Sequence, residues 1–273
     1  MKKRVAILNA AVDPLTSAET VEVVFDALAR GARGWLCTLN VASLMAMRTD
    51  AALQSFADRA LAVVADGQPL VWCAPLFGGR LPERVAGIDL IDDLCRRAAA
   101  EGVGVYLLGA TPGLVDKALA ELRARHPDLQ ATAAHGYFSE DEAPARVEAV
   151  RASAAKLLFV GMGSPRQEAF IQQHFEALGV GVAIGVGGSF DVIGGARFRA
   201  HRWVRRIGME WLVRLLQEPR RLLPRYATTN TTFLWLIAKT ALTRFDRWSR
   251  QRANFRWLAL GAVIGSLAYV AID

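Results

Sequence analysis

Residues able to do chemistry collect in this chain where apolar runs give way to glycine. The clearest case is Lys156–Glu168, KLLFVGMGSPRQE. Leu157–Val160 is a short apolar run bounded by glycine, which reads as a buried strand. It turns through Gly161-Met162-Gly163 into Ser164-Pro165-Arg166-Gln167-Glu168. Ser164 is the predicted N-cap, Pro165 the first helical position, and Glu168 sits in the first turn, where the helix dipole favours an acid. Such a strand, glycine turn and helix start leaves backbone N–H groups free for an anion, typically a phosphate. Arg166 and Gln167 can add side-chain hydrogen bonds to a ligand above the strand ends. Standing alone, the stretch would read as an ordinary strand-to-helix turn, but others like it accompany it.

Asp66 directly follows the apolar run Leu61–Ala65 and precedes Gly67. A carboxylate at a strand end, half desolvated by its neighbours, suits general-base work. The competing role is a turn aspartate that bonds its own backbone. Asp191 lies in Gly185–Gly195, GVGGSFDVIGG, whose glycines let backbone approach a ligand closely. An acid there commonly takes ribose hydroxyls. Tyr137, beside Gly136, could stack on a base or simply pack. No glycine run fits the dinucleotide fingerprint or the P-loop. The four histidines show no metal-ligand spacing with each other or with the cysteines, and there is no Asp-x-Asp pair for a divalent ion. A site without a metal is expected.

The elements that must position these groups follow in order. Val5–Leu8 is a first strand, and Thr16-x-x-Glu19 has capping-box spacing before a helix through Val21, Val24, Phe25 and Leu28. Strands are expected at Trp35–Leu39, Leu61–Ala65, Val103–Leu108, weakly around Leu129–Ala133, at Leu157–Val160 and within Gly181–Gly188. Helices are expected at Ile88–Ala100 and Leu114–Arg125, the latter with Thr111 as cap, and after Ser139-x-x-Glu142. Six or seven short strands alternating with helices predict an α/β fold: a doubly wound, mostly parallel, Rossmann-like sheet. In such sheets ligands sit beyond the carboxyl ends of the strands. Thr38, Asn40, Asp66, Gly109, Thr111, Gly163 to Gln167, Gly187 and Asp191 all fall there.

Charge is unevenly spread. Arg197–Arg256 holds 15 of the 33 Lys and Arg but 3 of the 26 Asp and Glu, so this stretch carries +12 while the remainder is net acidic. An acidic body with a basic C-terminal stretch points to an anionic partner, either nucleic acid or a membrane with phosphorylated lipids. Trp203–Gln217 places apolar residues at helical spacing among Arg205, Arg206 and Arg214, the pattern of helices that lie on membranes. Its tryptophans favour membrane over nucleic acid. Trp257–Ile272 is apolar throughout and follows several arginines, though it is short of the roughly 20 residues that span hydrocarbon. Its basic flank would keep the body cytoplasmic. The expected organisation is a catalytic α/β domain over 1–196, a basic helical appendage over 197–245, and a basic flank with an apolar tail over 246–273. Cys37, Cys73 and Cys95, odd in number and in apolar contexts, argue for a reducing compartment. The N-terminus MKKRVAILNA starts like a signal peptide, but its apolar run is too short.

Together these stretches resemble the WecG/TagA/CpsF family of bacterial glycosyltransferases. The matching motifs are Thr38-Leu39-Asn40, Ala65-Asp66-Gly67, Glu83–Gly87 (ERVAG), Gly136-Tyr137-Phe138, Gly161–Glu168, Gly185–Asp191, and Glu210–Leu215 (EWLVRL) with Glu218-Pro219-Arg220-Arg221, in family order over residues 35–225. His201 stands where the family often has proline. The resemblance implies transfer of N-acetylmannosamine or a similar sugar from its UDP form to an undecaprenyl-diphosphate-linked sugar, at the cytoplasmic face of the inner membrane. It implies Asp66 as base with Thr38 and Gln167 in the same cleft, and uridine held by Tyr137 and Asp191. Arg214, Arg220 and Arg221 would contact the acceptor diphosphate. Asn40, Gly109, Gly163, Arg166 and Gly187 complete the expected donor contacts. The expected enzyme inverts the anomeric centre, needs no cofactor or metal, and is held at an anionic membrane, peripherally or by its apolar tail. Nucleic acid is not an expected partner, and homo-oligomers are compatible with everything above. The rivals are a nucleotide-binding oxidoreductase on a similar sheet and a basic nucleic-acid-binding protein.

Overall fold

The structure, a computed structural model, describes residues 3–244 apart from Ile207, Arg221 and Arg225, with Arg202 and Arg206 described by their backbone only. The expected membrane segment Trp257–Ile272 and the acceptor candidate Arg221 therefore lie outside the described residues. In chain order the strands are β1 (Val5–Ile7), β2 (Ala10–Val12), β3 (Gly34–Leu39), β4 (Ala62–Ala65), β5 (Val105–Gly109), β6 (Ala131–Ala134), β7 (Leu157–Gly161) and β8 (Val182–Gly185). The helices are α1 (Ser17–Ala29), α2 (Val41–Ala46), α3 (Ala51–Asp58), α4 (Gln68–Cys73), α5 (Gly87–Glu101), α6 (Leu114–Arg125), α7 (Ala143–Ala152), α8 (Arg166–Leu178), α9 (Ser189–Ile193), α10 (Arg202–Arg206) and α11 (Glu210–Gln217). A short 3-10 turn at Ala74–Phe77 follows α4, and residues 226–244 are helical.

Six strands pair in parallel in the order β4-β3-β8-β7-β5-β6. Apart from the edge strand β6, their residues are buried almost without interruption, as expected when helices cover both faces. Leu36, Val64, Leu107, Phe159 and Ile184 point to a core closed by α1, α5, α6 and α9. On the opposite face Trp35 stacks on Phe56 of α3 at 5.2 Å and meets Phe175 of α8 edge-on. The doubly wound α/β architecture expected from the strand and helix pattern is the observed one.

The first strand differs from expectation. β1 is not part of the sheet but forms an antiparallel hairpin with β2, which was not anticipated. Leu8, at φ +53, turns the chain back on itself so that β1 pairs with β2. The hairpin covers the open edge of β4 instead. Asp13, 3% exposed, donates its backbone N–H to the Val63 carbonyl and accepts the Val63 N–H on Oδ2, both at 2.8 Å. Its other oxygen pairs with Arg4 Nε at 2.9 Å. An unpaired strand edge is thereby satisfied by a side chain.

The capping box at Thr16 and Glu19 forms in full. Three other caps do not take the expected form. α7 starts at Ala143 with Glu142 as N-cap, because the Glu142 carboxylate accepts the Ser139 N–H and hydroxyl and Ser139 caps nothing. The N-cap of α6 is Gly113, at φ +74, because the Thr111 carbonyl rather than its hydroxyl takes the N–H groups of Leu114 and Val115. α8 starts at Arg166 with Pro165 as N-cap, because the turn closes through Gln167 N–H to the Gly163 carbonyl and leaves the Ser164 hydroxyl unused. Compact units comprise Met1–Thr229 and Asn230–Asp273. The three cysteines are buried and unbridged.

Asp13 carries the edge closure, so its removal should be costly. Asp13→Ala leaves the Val63 N–H without its acceptor and Arg4 without its partner, and denaturant unfolding should show a loss of roughly 2–4 kcal/mol. A loss below about 0.5 kcal/mol, the scale of an ordinary surface substitution, would show that the hairpin adds nothing to the sheet.

Candidate active site

The strand order creates the cleft. The connection after β5 runs outward to β6, whereas that after β7 runs back toward β8, so the chain reverses direction between these neighbours. Ligands of open α/β sheets sit at such a switch point. Here the backbones nearly touch: a Cβ on Gly109 would lie 2.5 Å from the Gly161 carbonyl oxygen, and one on Gly136 would lie 2.8 Å from Gly109 Cα. Beyond them, Gly163 has φ +80 with open space where a side chain would be.

On the far side of this edge, Asp66 follows β4. Its backbone N–H donates to the Leu39 carbonyl at 2.8 Å, and Gly67 packs over Asn40, whose Cα would lie 3.6 Å from a glycine-to-alanine Cβ. Asn40 caps α2 through Oδ1, which accepts the Ser43 N–H at 3.0 Å. The ERVAG segment wraps around Asp66. Glu83 accepts the Ser17 N–H at 2.6 Å, Val85 N–H donates to the Ala65 carbonyl at 2.8 Å, and Gly87 opens α5 beside the carboxylate, with its Cα face 3.9 Å from Oδ2 by the same Cβ measure.

Burial pushes the Asp66 carboxyl up to about 6, against the opposing pull of Arg214 and Arg84 and the Gly87 N–H, with Glu210 adding to the rise. A carboxylate in that range is ionised near neutral pH yet basic enough to accept a proton. Arg84 itself is held by Glu210, Nη1 to Oε2 at 2.7 Å, and both side chains are mostly buried. Glu210 and Arg214 both belong to α11, so the basic appendage reaches the Asp66 end of the sheet. Arg214 is exposed and has no ion-pair partner among the described residues. Arg220 is also exposed.

Other expected site residues have protein partners. Thr38 donates its hydroxyl to the Gly185 carbonyl at 2.8 Å. Gln167, 4% exposed, accepts the Gly187 N–H at 2.9 Å and donates to Glu168 at 3.0 Å. These two side chains brace the turn after β8 from either side. Asp191 pairs with Arg197 at 3.0 Å, and Arg197 also pairs with Glu218. Arg166 donates to the Phe138 carbonyl at 2.7 Å and lies over the Phe138 ring. The neighbouring Tyr137 is 65% exposed at the open end of β6. The structure thus gathers Thr38, Asn40, Asp66, Gln167, Gly187 and Arg214 about β4, β3 and β8, and Gly109, Gly163, Arg166 and Tyr137 about β5, β7 and β6. Arg84, Glu210 and Arg197 were missed from the sequence. Arg84 and Glu210 stood inside quoted motifs, but only the fold shows that they pair. Among the described residues no three His, Cys, Asp or Glu side chains group so as to hold a metal ion.

Holding Asp66 in this environment has a measurable consequence for stability. Its folded-state value lies above the unfolded one, so the favourable protonated form is lost as pH rises through about 6. Asp66→Asn should therefore match the parent protein near pH 4 and become the more stable of the two above pH 6, by roughly 1–3 kcal/mol in chemical denaturation. A variant less stable than the parent at pH 8 would contradict the proposed environment.

The chain has known relatives in sequence. The sequence profile described as glycosyl transferase WecG/TagA/CpsF family matches residues 5–247, which takes in the sheet, the cleft and α11. A Staphylococcus aureus (strain MW2) protein named N-acetylglucosaminyldiphosphoundecaprenol N-acetyl-beta-D-mannosaminyltransferase is 32% identical over 222 residues, covering 80% of this chain and 87% of its own length. The chain belongs to the WecG/TagA/CpsF family of glycosyl transferases.

Proposed function

We propose that the protein transfers N-acetylmannosamine from its UDP form to N-acetylglucosamine carried on undecaprenyl diphosphate, with inversion and without a metal. The observation that carries this reading is the placement of a single high-lying carboxylate, Asp66, beside an exposed arginine of the basic helix, Arg214. The Staphylococcus aureus relative bears a name describing that acceptor and that sugar.

In this reading Asp66 takes the proton of the acceptor hydroxyl. The freed oxygen bonds to the anomeric carbon as the bond from that carbon to the UDP oxygen breaks, and the electron pair leaves with UDP. Tyr137 and Asp191 hold the uridine, while Asn40, Gly109, Gly163, Arg166 and Gly187 line the donor side. Thr38 and Gln167 act by holding the turn after β8 in place. Arg214, with Arg220 and Arg221, neutralises acceptor diphosphate, and fixed cations at developing charge do work that a divalent ion does elsewhere.

The reaction takes place at the cytoplasmic face of the membrane. Among the described residues, eight of the ten exposed large apolar side chains lie beyond Arg197, among them Phe198, Trp203, Trp211, Leu216 and Leu223. The same stretch carries the positive charge. Apolar anchors among arginines suit an anionic lipid surface. Among the described residues no helix is long and apolar enough to cross a membrane.

Mass spectrometry of products from UDP-N-acetylmannosamine and a short-chain N-acetylglucosaminyl lipid diphosphate should show one added N-acetylhexosamine, in the presence of excess EDTA as in its absence. Asp66→Asn should lower turnover by roughly 10²-fold or more, the scale of a lost general base. Near-parental turnover in that variant would remove Asp66 from the chemistry, and loss of activity in EDTA with recovery in Mg²⁺ would overturn metal independence.

Membrane retention is separable from catalysis. Deleting 255–273 should reduce sedimentation with anionic vesicles while leaving transfer to a soluble acceptor within about threefold, since burial of that apolar run adds transfer energy only at the membrane. Unchanged sedimentation would assign retention to the basic helices alone.

A further inference from the structure

The ion pair between Arg84 and Glu210 is placed where it acts on a third group. Arg84, in the ERVAG segment, binds the carboxylate of Glu210 and acts on that of Asp66 through charge alone. Its guanidinium contacts Glu210 at 2.7 Å, whereas no nitrogen of Arg84 comes within ion-pair distance of Asp66 among the described residues. Glu210 is 7% exposed, and 126 positions separate the two partners, so the contact exists only when α11 is seated on the body.

We propose that Glu210 is a positioning residue that keeps the Arg84 guanidinium from pairing with Asp66, so that the base stays unbridged only while α11 is seated. The proposal rests on the assignment of Asp66 as base. An arginine paired directly to a carboxylate stabilises its charged form and makes it a poor proton acceptor. Held by Glu210 instead, Arg84 supplies positive potential to the pocket without occupying the oxygens that the acceptor hydroxyl must reach.

The groups facing this arrangement are few. Asp66 faces Arg84 from its loop, Arg214 and Glu210 from α11, and the Gly87 N–H from α5. Arg84 faces Glu210, Asp66 and Asp89. Asp89 is itself taken by Arg199 at 2.5 Å and lies 3.6 Å from Arg205, so it does not compete freely for Arg84. With Glu210 neutralised, Asp66 is therefore the carboxylate left for Arg84. A clamp that merely docked α11 would not single out Asp66 in this way.

The test is a double-mutant cycle on the full chain with Arg84→Gln, Glu210→Gln and both together, read two ways. One readout is the pH dependence of kcat/KM with UDP-N-acetylmannosamine and the short-chain lipid diphosphate acceptor. The other is the titration of the Asp66 carboxyl carbon by NMR, assigned with Asp66→Asn, which needs no substrate. Glu210→Gln should move the Asp66 titration and the acid limb to lower pH and reduce turnover at neutral pH by about tenfold or more. Arg84→Gln should move both to higher pH. In the Arg84→Gln background, adding Glu210→Gln should change turnover by less than about threefold, the non-additivity expected of groups that act through each other. Equal effects of Glu210→Gln in both backgrounds, or an Asp66 titration that stays in place or rises, would overturn the proposal. Glu210→Asp, which keeps the charge, covers the case in which the glutamine variant does not fold, and should retain a titration closer to the parent than Glu210→Gln or Arg84→Gln gives. Failure of the parent protein to turn over these substrates would count against the donor and acceptor assignment, while the NMR arm would still decide the role of Glu210.

Discussion

The desolvation of one carboxylate organises the site. At the end of β4, Asp66 is half-buried, and its partial loss of water favours the neutral form. Two arginines and a backbone N–H pull the other way, and an acidic side chain of α11 tempers them. The result is a group that changes protonation close to the pH at which it would work. No single segment could arrange this. The carboxylate comes from a strand end, Arg84 from the following loop, the N–H from α5, and Arg214 and Glu210 from α11. Seating the C-terminal helix therefore brings two opposing charges, Arg214 and Glu210, to a carboxyl whose acidity is set first by desolvation.

The second constraint is steric. Gly109, Gly136 and Gly161 sit where three chain segments converge at the reversal of strand order; a side chain on Gly109 or Gly136 would collide with backbone, and one on Gly161 with the Phe190 ring. The absence of side chains keeps the crevice floor flat and presents peptide groups to whatever occupies it. Farther along the same edge, Gln167 and Thr38 grip the turn after β8, so that the glycine-rich stretch before Asp191 is held rather than loose. Arg197 extends this bracing by joining Asp191 to Glu218 at the far end of α11.

Much of the frame was legible because burial in a parallel sheet imposes a local pattern. Leu157–Val160 and Leu61–Ala65 could be read as strands since both faces of such a strand are covered and every residue is apolar. Helix α6 was legible from its periodicity and from His126-Pro127, and the Thr16–Glu19 box from spacing alone. What was misread was equally local in cause. The Thr111 and Ser164 caps were expected from hydroxyl chemistry, but backbone carbonyls took the same N–H groups. The hairpin of β1 and β2 was missed because three-residue strands carry too little pattern, and because its anchor, the Asp13 contact with Val63, spans 50 positions.

The sequence by itself determined that Asp66, Thr38, Gln167 and Asp191 would stand at strand ends, since strand register and chain direction follow from short-range apolar runs. It also determined that the C-terminal stretch would be basic and aromatic, because composition needs no fold to be read. Only the tertiary structure decided which of these groups face one another. It gave Gln167 and Thr38 to the backbone after β8, paired Asp191 with Arg197, and brought Arg84, Glu210 and Arg214 to Asp66. Charge interactions act through space and weaken with separation, so their partners are set by how distant segments pack and not by their order along the chain.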